Sequence, residues 1–463
     1  MEYIENRTFD EISVGDSATL VRTLKLEDIQ LFAAMSGDIN PAHLDPEYAN
    51  SSSFQEVIEH GMWGGAFISN VLGTQLPGPG TIYLDQSLHF ARPVTLGDTI
   101  TVAVKVTGKF EHHHHVTFEC ECRNQNGLVV IRGTVEVMAP TEKVRRPRME
   151  LPEVRVSDKT SQYRRLIAMA EAPEPIPMAV VHPCDRDSLL AAVEAARAHL
   201  IVPVLVGPRS KISAVARAHD VDISGFKIVD VQHSHAAANV SVAMARDGVV
   251  RALMKGSLHT DELMAEVVAA ESGLRTARRV SHVFIMDVPT YPRMLLITDA
   301  AINITPTLED KIDIVQNAIE LAHVLQVAEP KVAILAAVET VMPKQRSTLE
   351  AAALCKMADR GQIVGGVLDG PLAFDNAVSI VSAKTKGIRS AVAGRADILV
   401  VPDLEAGNML AKQLEYLADA QAAGIVLGAR VPIVLTSRAD TVQTRLASCA
   451  VALLLARHKQ VAQ

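Results

Sequence analysis

Hydrophobic periodicity changes near residue 140, and no single sheet or bundle satisfies both patterns. Before that point TITVAVKV (99–106) and HVTFECEC (115–122) alternate polar and apolar residues. An Asn-Gln-Asn-Gly turn signal at 124–127 leads into LVVIRGTVEVM (128–138), which predicts an antiparallel meander. Upstream, HGMWGGAFISNVLGTQL (60–76) is apolar nearly all round and predicts a buried helix. Strands wrapped on one such helix form an α+β domain. After about 160 the pattern is β-α-β-α. Apolar runs such as MAVVH (178–182), VPVLVG (202–207), RALMKG (251–256), VFIMD (283–287), KVAILAAV (331–338) and VPIVLT (431–436) alternate with helical stretches at 186–199, 308–327, 346–359 and 404–417. Strands apolar on both faces predict a mostly parallel sheet covered on both sides, with ligands at the strands' carboxyl ends. The charged, Pro-containing stretch 141–162 reads as a linker, so the expected domains are 1–140 and 163–463.

Composition narrows the function classes. The chain of 463 residues is 48% hydrophobic and 21% charged, with a net charge of −8. That balance is globular, and its sign disfavours general nucleic-acid binding. Five cysteines are an odd number and form neither a disulfide framework nor paired zinc-type spacings, so they read as small buried hydrophobes. The acidic N-terminus lacks the apolar core of a signal peptide, and no run approaches the roughly 20 apolar residues of a membrane span. The stretch 446–456 reads as a buried helix. A cytoplasmic protein with no membrane partner is expected.

A first candidate site lies in SGDINPAHLDPEYA (36–49), where Gly37, Pro41 and Pro46 break the preceding helix at 27–35. Asp38 and His43 can face one small volume and activate a water. Asn40 can hold the loop. HGMWGGAFIS then opens the buried helix, whose N-terminus offers free N–H groups and a partial positive charge suited to an enolate or thioester oxyanion. SGDINPAHLDPEYA, HGMWGGAFIS and GTIYLDQSLHFARPVTLGD (80–98) resemble the (R)-specific enoyl-CoA hydratases of the MaoC-like, hot-dog family over essentially all of the first domain. The resemblance implies addition of water to a trans-2-enoyl-CoA, giving an (R)-3-hydroxyacyl-CoA. It puts Asp38 and His43 at the catalytic pair, Gly61 N–H at the thioester oxygen, and Ser69 and Asn40 in support. Which of the pair is the base stays open. Trp63 is either core or a narrowing of the acyl tunnel. The run His112–His115, read on a strand, would place only two rings on one face and predicts no metal site.

The second domain has no Walker A motif and no strand-linked G-x-G-x-x-G. Lys255, His259 and Thr260 follow one strand, Asp299 another, Asp403 to Asn408 a third, and Ser437 and Arg438 a fourth. Hydroxyl, guanidinium and helix N-terminal groups together suit phosphate. MKGSLHT, LLITDAAINITPTLEDK (295–311), VPDLEAGN (401–408) and VPIVLTSRAD (431–440) resemble the phosphate acetyl/butyryltransferase family over about 165–460. The resemblance implies an α/β fold of two subdomains, isocitrate-dehydrogenase-like, with the site in the cleft between them. It implies exchange of CoA for inorganic phosphate on a short acyl group. It places Arg438 on phosphate and Ser437 at the thioester or thiol, with Lys255, Thr260, Asp299 and Asn408 as substrate contacts. Acetyl-type members carry an Asp seven residues after the Ser. Here residue 444 is Thr, and TSRAD looks like the butyryl branch. Either Asp440 serves as the thiol base or positioning suffices.

The combined expectation is a hydratase and transferase fusion acting on CoA thioesters and phosphate. No tightly bound cofactor or metal is expected, and each domain resembles one that self-associates, implying a dimer or larger homo-oligomer. The alternative is an active hydratase whose second domain senses acyl-CoA. An isocitrate-dehydrogenase-like oxidoreductase lacks an evident acidic metal cluster.

Overall fold

The structure is a computed structural model describing residues 2–152, 154, 161–171, 174–436 and 440–461. Its internal contacts divide the chain into two units, Met1–Val156 and Ser157–Gln463.

In the first unit five antiparallel strands pair in the order Ser17–Thr23, Thr99–Phe110, His115–Arg123, Val129–Met138, Ile82–Phe90. Their inward residues include Val102, Val104, Val106, Phe118, Cys120, Cys122, Val135 and Val137, all 2% exposed or less. The period of two on each strand puts these on one face. That face packs against the helix Met62–Thr74, whose Trp63, Ile68, Val71 and Leu72 are buried in the same core. This is the α+β arrangement expected of a hot-dog domain. Two details differ from the sequence reading. His112–His114 form a 3-10 turn at a hairpin tip, with His113 and His114 at φ 60° and 55°, so these rings sit on no strand face. Part of the expected linker also belongs to this unit. Arg145–Pro147 pairs antiparallel with Tyr3–Glu5, Asn6 bonds both Glu142 O and Val144 N, and Lys143 bridges Glu5 and Glu11. Across the two short strands, Arg145 Nε lies 3.8 Å from the Glu5 carboxylate.

The second unit is built on eleven strands among the described residues, in one continuous sheet. Five run parallel in the order Lys227–Asp230, Ile201–Gly207, Ile176–Val181, Ala252–Lys255, Ile433–Val434. Four more run parallel as Leu295–Thr298, Ile398–Val400, Lys331–Leu335, Val367–Leu372. Gln421–Leu427 and Ser281–Asp287 join the two sets through antiparallel pairing. The expectation of a mostly parallel sheet holds, with seven of the ten pairings among the described residues parallel, but the two parallel sets point in opposite directions across an antiparallel seam that the sequence reading did not foresee. Each set is one α/β half. Helices at Arg346–Asp359 and Leu404–Leu417 match the sequence reading. The helix Val442–Val461 absorbs 446–456, burying Ala447, Ala450, Val451 and Leu453. No described helix is long and apolar enough to cross a membrane.

Candidate functional site

In the first unit the helix Leu26–Ser36 stops at Gly37, whose φ of 76° is the left-handed conformation glycine adopts without strain. The chain then turns through Asp38, and Asn40 caps the short helix Pro41–Leu44 by accepting from Ala42 N at 3.1 Å. Asp38 Oδ1 accepts from Asn40 N at 3.1 Å. His43 is buried and its Nδ1 lies 2.9 Å from Ile58 O. A carbonyl only accepts, so Nδ1 carries the hydrogen and Nε2 keeps the lone pair in the neutral ring. One donor atom each of Asp38, His43 and His60 lie within 4.8 Å of one another. The expected pair is therefore brought together, with a third residue that sequence reasoning did not single out.

His60 is 3% exposed. Its Nε2 lies 3.1 Å from Asp38 O and so donates to it. Its ring stacks on His43 at 4.0 Å and tilts against Phe32 at 5.2 Å. Its Nδ1 is buried with no hydrogen-bond partner among the described residues. Gly61 opens the helix Met62–Thr74, so its amide is one of the four N-terminal donors without an intrahelical acceptor. A Cβ at Gly61 would lie 3.3 Å from the Phe90 ring, so the backbone approaches its neighbour closely here. Ser69 is exposed on the same helix. Trp63 is 5% exposed and packs edge-on to Phe67 at 4.5 Å, which places it in the core. Glu59, next to His60, is also buried, and desolvation with a smaller push from Asp98 raises its carboxyl to about 8.

In the second unit Lys255 ends the strand Ala252–Lys255 and is 5% exposed. Its strand lies between Ile176–Val181 and Ile433–Val434. Three parallel strands therefore deliver His182, Lys255 and Thr436 to the same edge of the sheet. His182 Nδ1 donates to Ser257 O at 2.7 Å, tying two of these exits together. Thr260 is the first residue of the helix Thr260–Val267. Ser437 and Arg438 lie outside the described residues; Thr436 precedes them.

Asp299 and Asn408 form a separate cluster at the end of the oppositely directed set. Asp299 Oδ1 accepts from Ala301 N and Ile302 N, and Oδ2 from Asn303 N and Asn303 Nδ2. Four N–H donors occupy the four lone-pair sites of a carboxylate. The Asp299 side chain thus holds its own loop. Asn408 Nδ2 donates to Ala300 O at 3.2 Å, locking the helix Leu404–Leu417 onto that loop. His282, completely buried, spans the seam. Its Nε2 is 3.4 Å from Leu435 O, its own carbonyl accepts from Thr298 Oγ1 at 2.9 Å, and burial holds its imidazole below the usual range. Thr444 is buried; its backbone N–H donates to Thr441 Oγ1 at 3.2 Å, so Thr441 caps the last helix, and the two hydroxyls lie 3.1 Å apart. Cys120, Cys122 and Cys449 are buried, as expected, and Cys184 and Cys355 partly so; burial pushes Cys184 up to about 11 and the other four thiols up to about 12.

Residues 234–453 match the family model described as "Phosphate acetyl/butaryl transferase", and residues 14–124 match that described as "MaoC like domain". A phosphate acetyltransferase of Rhizobium meliloti is 64% identical over 303 residues, spanning 65% of this chain and 96% of that relative. The chain belongs to the phosphate acetyl/butaryl transferase family. The chain also matches the crystal structure of a branched-chain phosphotransacylase from Enterococcus faecalis V583. The TM-score is 0.54 at 29% identity, over 61% of this chain and 99% of that one. The R-hydratase PhaJ1 of Pseudomonas aeruginosa is 44% identical over 34% of this chain and 99% of its own, with a TM-score of 0.33. By the two family models, the chain carries a MaoC-like domain ahead of its phosphate acetyl/butaryl transferase region.

Proposed function

We propose that one chain carries out two acyl-CoA reactions: hydration of a trans-2-enoyl-CoA to an (R)-3-hydroxyacyl-CoA, and reversible transfer of an acetyl or other short acyl group between CoA and inorganic phosphate. The convergence of Asp38 with a His43 whose Nδ1 is fixed on Ile58 O carries the first reading. Hydration forms a C–O bond at C3 and a C–H bond at C2, so one proton leaves water and one is delivered to carbon. With Nδ1 committed, Nε2 is the atom of His43 that handles a proton, and Asp38 is its anionic partner. The Gly61 amide stabilises charge on the thioester oxygen.

The second reading rests on the R. meliloti phosphate acetyltransferase, 64% identical. A phosphate oxygen attacks the thioester carbonyl, the C–S bond breaks, and the thiolate takes up a proton. Lys255 at the strand ends supplies positive charge, with Arg438 as the guanidinium for phosphate. The residues imply no cofactor beyond the substrates themselves.

The test is to follow loss of the enoyl thioester of crotonyl-CoA by the whole protein, beside Asp38→Asn and His43→Ala. Each variant is expected to lose about 10²- to 10⁴-fold in turnover with an unchanged melting curve. Near-normal turnover in both would overturn the hydratase reading.

A further inference from the structure

We propose that Asp38, His43 and His60 form a site for a divalent transition-metal cation of the Zn²⁺ class, and that its occupation switches the hydratase off. The blocking effect rests on the hydratase reading above; the binding does not.

Three observations carry the site. The donor atoms of the three side chains already lie within 4.8 Å of one another. Tetrahedral Zn²⁺ with bonds of about 2.1 Å holds its ligands about 3.4 Å apart, so closure needs a movement of about 1.4 Å or less. Asp38 sits on an exposed turn that can move, and the stacked rings of His43 and His60, 4.0 Å apart, must part by about 1 Å for both to face one cation. Both rings are also fixed in the manner of metal-ligating histidines, each donating one N–H to a backbone carbonyl and aiming the other nitrogen elsewhere. His43 uses Nδ1 on Ile58 O, and His60 uses Nε2 on Asp38 O. Finally, the nitrogen left on His60, Nδ1, is buried and has no hydrogen-bond partner among the described residues. A lone pair held out of water without a donor is one that a cation satisfies.

The donor set of two imidazoles and one carboxylate selects Zn²⁺ over Mg²⁺ or Ca²⁺, which take oxygen ligands. Three protein ligands leave one tetrahedral position for water. The bound cation would take the Nε2 lone pair of His43 and the charge of Asp38, the two groups that hydration requires. The act is ligand exchange alone, with no oxidant or reductant.

The test uses the full-length protein. Because the hairpin-tip histidines could also gather metal, it carries His112→Ala, His113→Ala and His114→Ala throughout. Titration with Co²⁺, read by the visible absorption of four-coordinate cobalt, is expected to fill one site per chain and to be displaced by Zn²⁺. His60→Ala and Asp38→Asn should each weaken binding at least about tenfold. Thermal melting of both variants establishes that they are folded. Zn²⁺ should abolish crotonyl-CoA hydration, and a chelator should restore it. Absence of stoichiometric binding, or equal binding in both folded variants, would overturn the site. Binding that leaves hydration unchanged would overturn its role as a switch. A protein that binds one cation but never hydrates crotonyl-CoA would retain the site and refute the hydratase reading instead.

Discussion

His60 donates from Nε2 to the backbone carbonyl of Asp38, 22 residues earlier, at 3.1 Å. The bond ties the segment leading into the central helix, two residues before Met62, to the turn that carries the acid. The same ring stacks on His43, so one buried side chain sets the positions of both members of the pair.

Replacing His60 by Phe keeps a ring against Phe32 and removes the donor. Turnover of crotonyl-CoA is expected to fall about 10- to 100-fold, because small misplacements of reacting groups are costly. KM should change little, since substrate contacts are untouched. Steady-state kinetics separate the two; a rise in KM with normal kcat would assign His60 to binding rather than positioning.

Glu59 gives the first unit a distinctive pH dependence. Burial raises its carboxyl from 4.5 to about 8, so the folded state holds a proton that the unfolded chain releases. Its contribution is fully present below about 4.5 and is lost as pH rises through about 8. Between pH 6 and 9 the native protein should lose on the order of 2 kcal/mol relative to Glu59→Gln, which cannot ionise. Melting both proteins across that range checks it; parallel curves would contradict it.

Much of this was legible in sequence. The helices Arg346–Asp359 and Leu404–Leu417 have clear apolar period, and the strands Thr99–Phe110 and His115–Arg123 alternate cleanly. The strand Gln421–Leu427 escaped notice because Ala and Gly, poor strand formers, fill three of its seven positions. Missing it hid the seam and with it the opposed directions of the two parallel sets. Asp299 stands where a ligand contact is expected, yet only the structure shows four donors from residues 301–303 on its carboxylate. His60 lay inside a motif valued for Gly61. Its placement beside Asp38 is a tertiary fact without a local signal.

Gly424 in that overlooked strand leaves room for the chain end leading to Ser437. A Cβ there would lie 2.4 Å from Leu435 O and 3.1 Å from His282 Nε2. Gly424→Ala must therefore displace backbone, at about 1–3 kcal/mol. Phosphate-dependent CoA release is expected to fall at least about tenfold by the same positioning argument, with hydration retained. Equal loss of both activities would indicate global unfolding instead.

The most direct measurement crosses the two chemistries in one protein. Phosphate-dependent thiol release from acetyl-CoA and hydration of crotonyl-CoA are measured for the native chain, Asp38→Asn and Arg438→Ala. The expected result is that Asp38→Asn loses only hydration and Arg438→Ala loses only thiol release. If the native chain releases no CoA from acetyl-CoA in phosphate, or fails to hydrate crotonyl-CoA, two active sites in one chain is the wrong description.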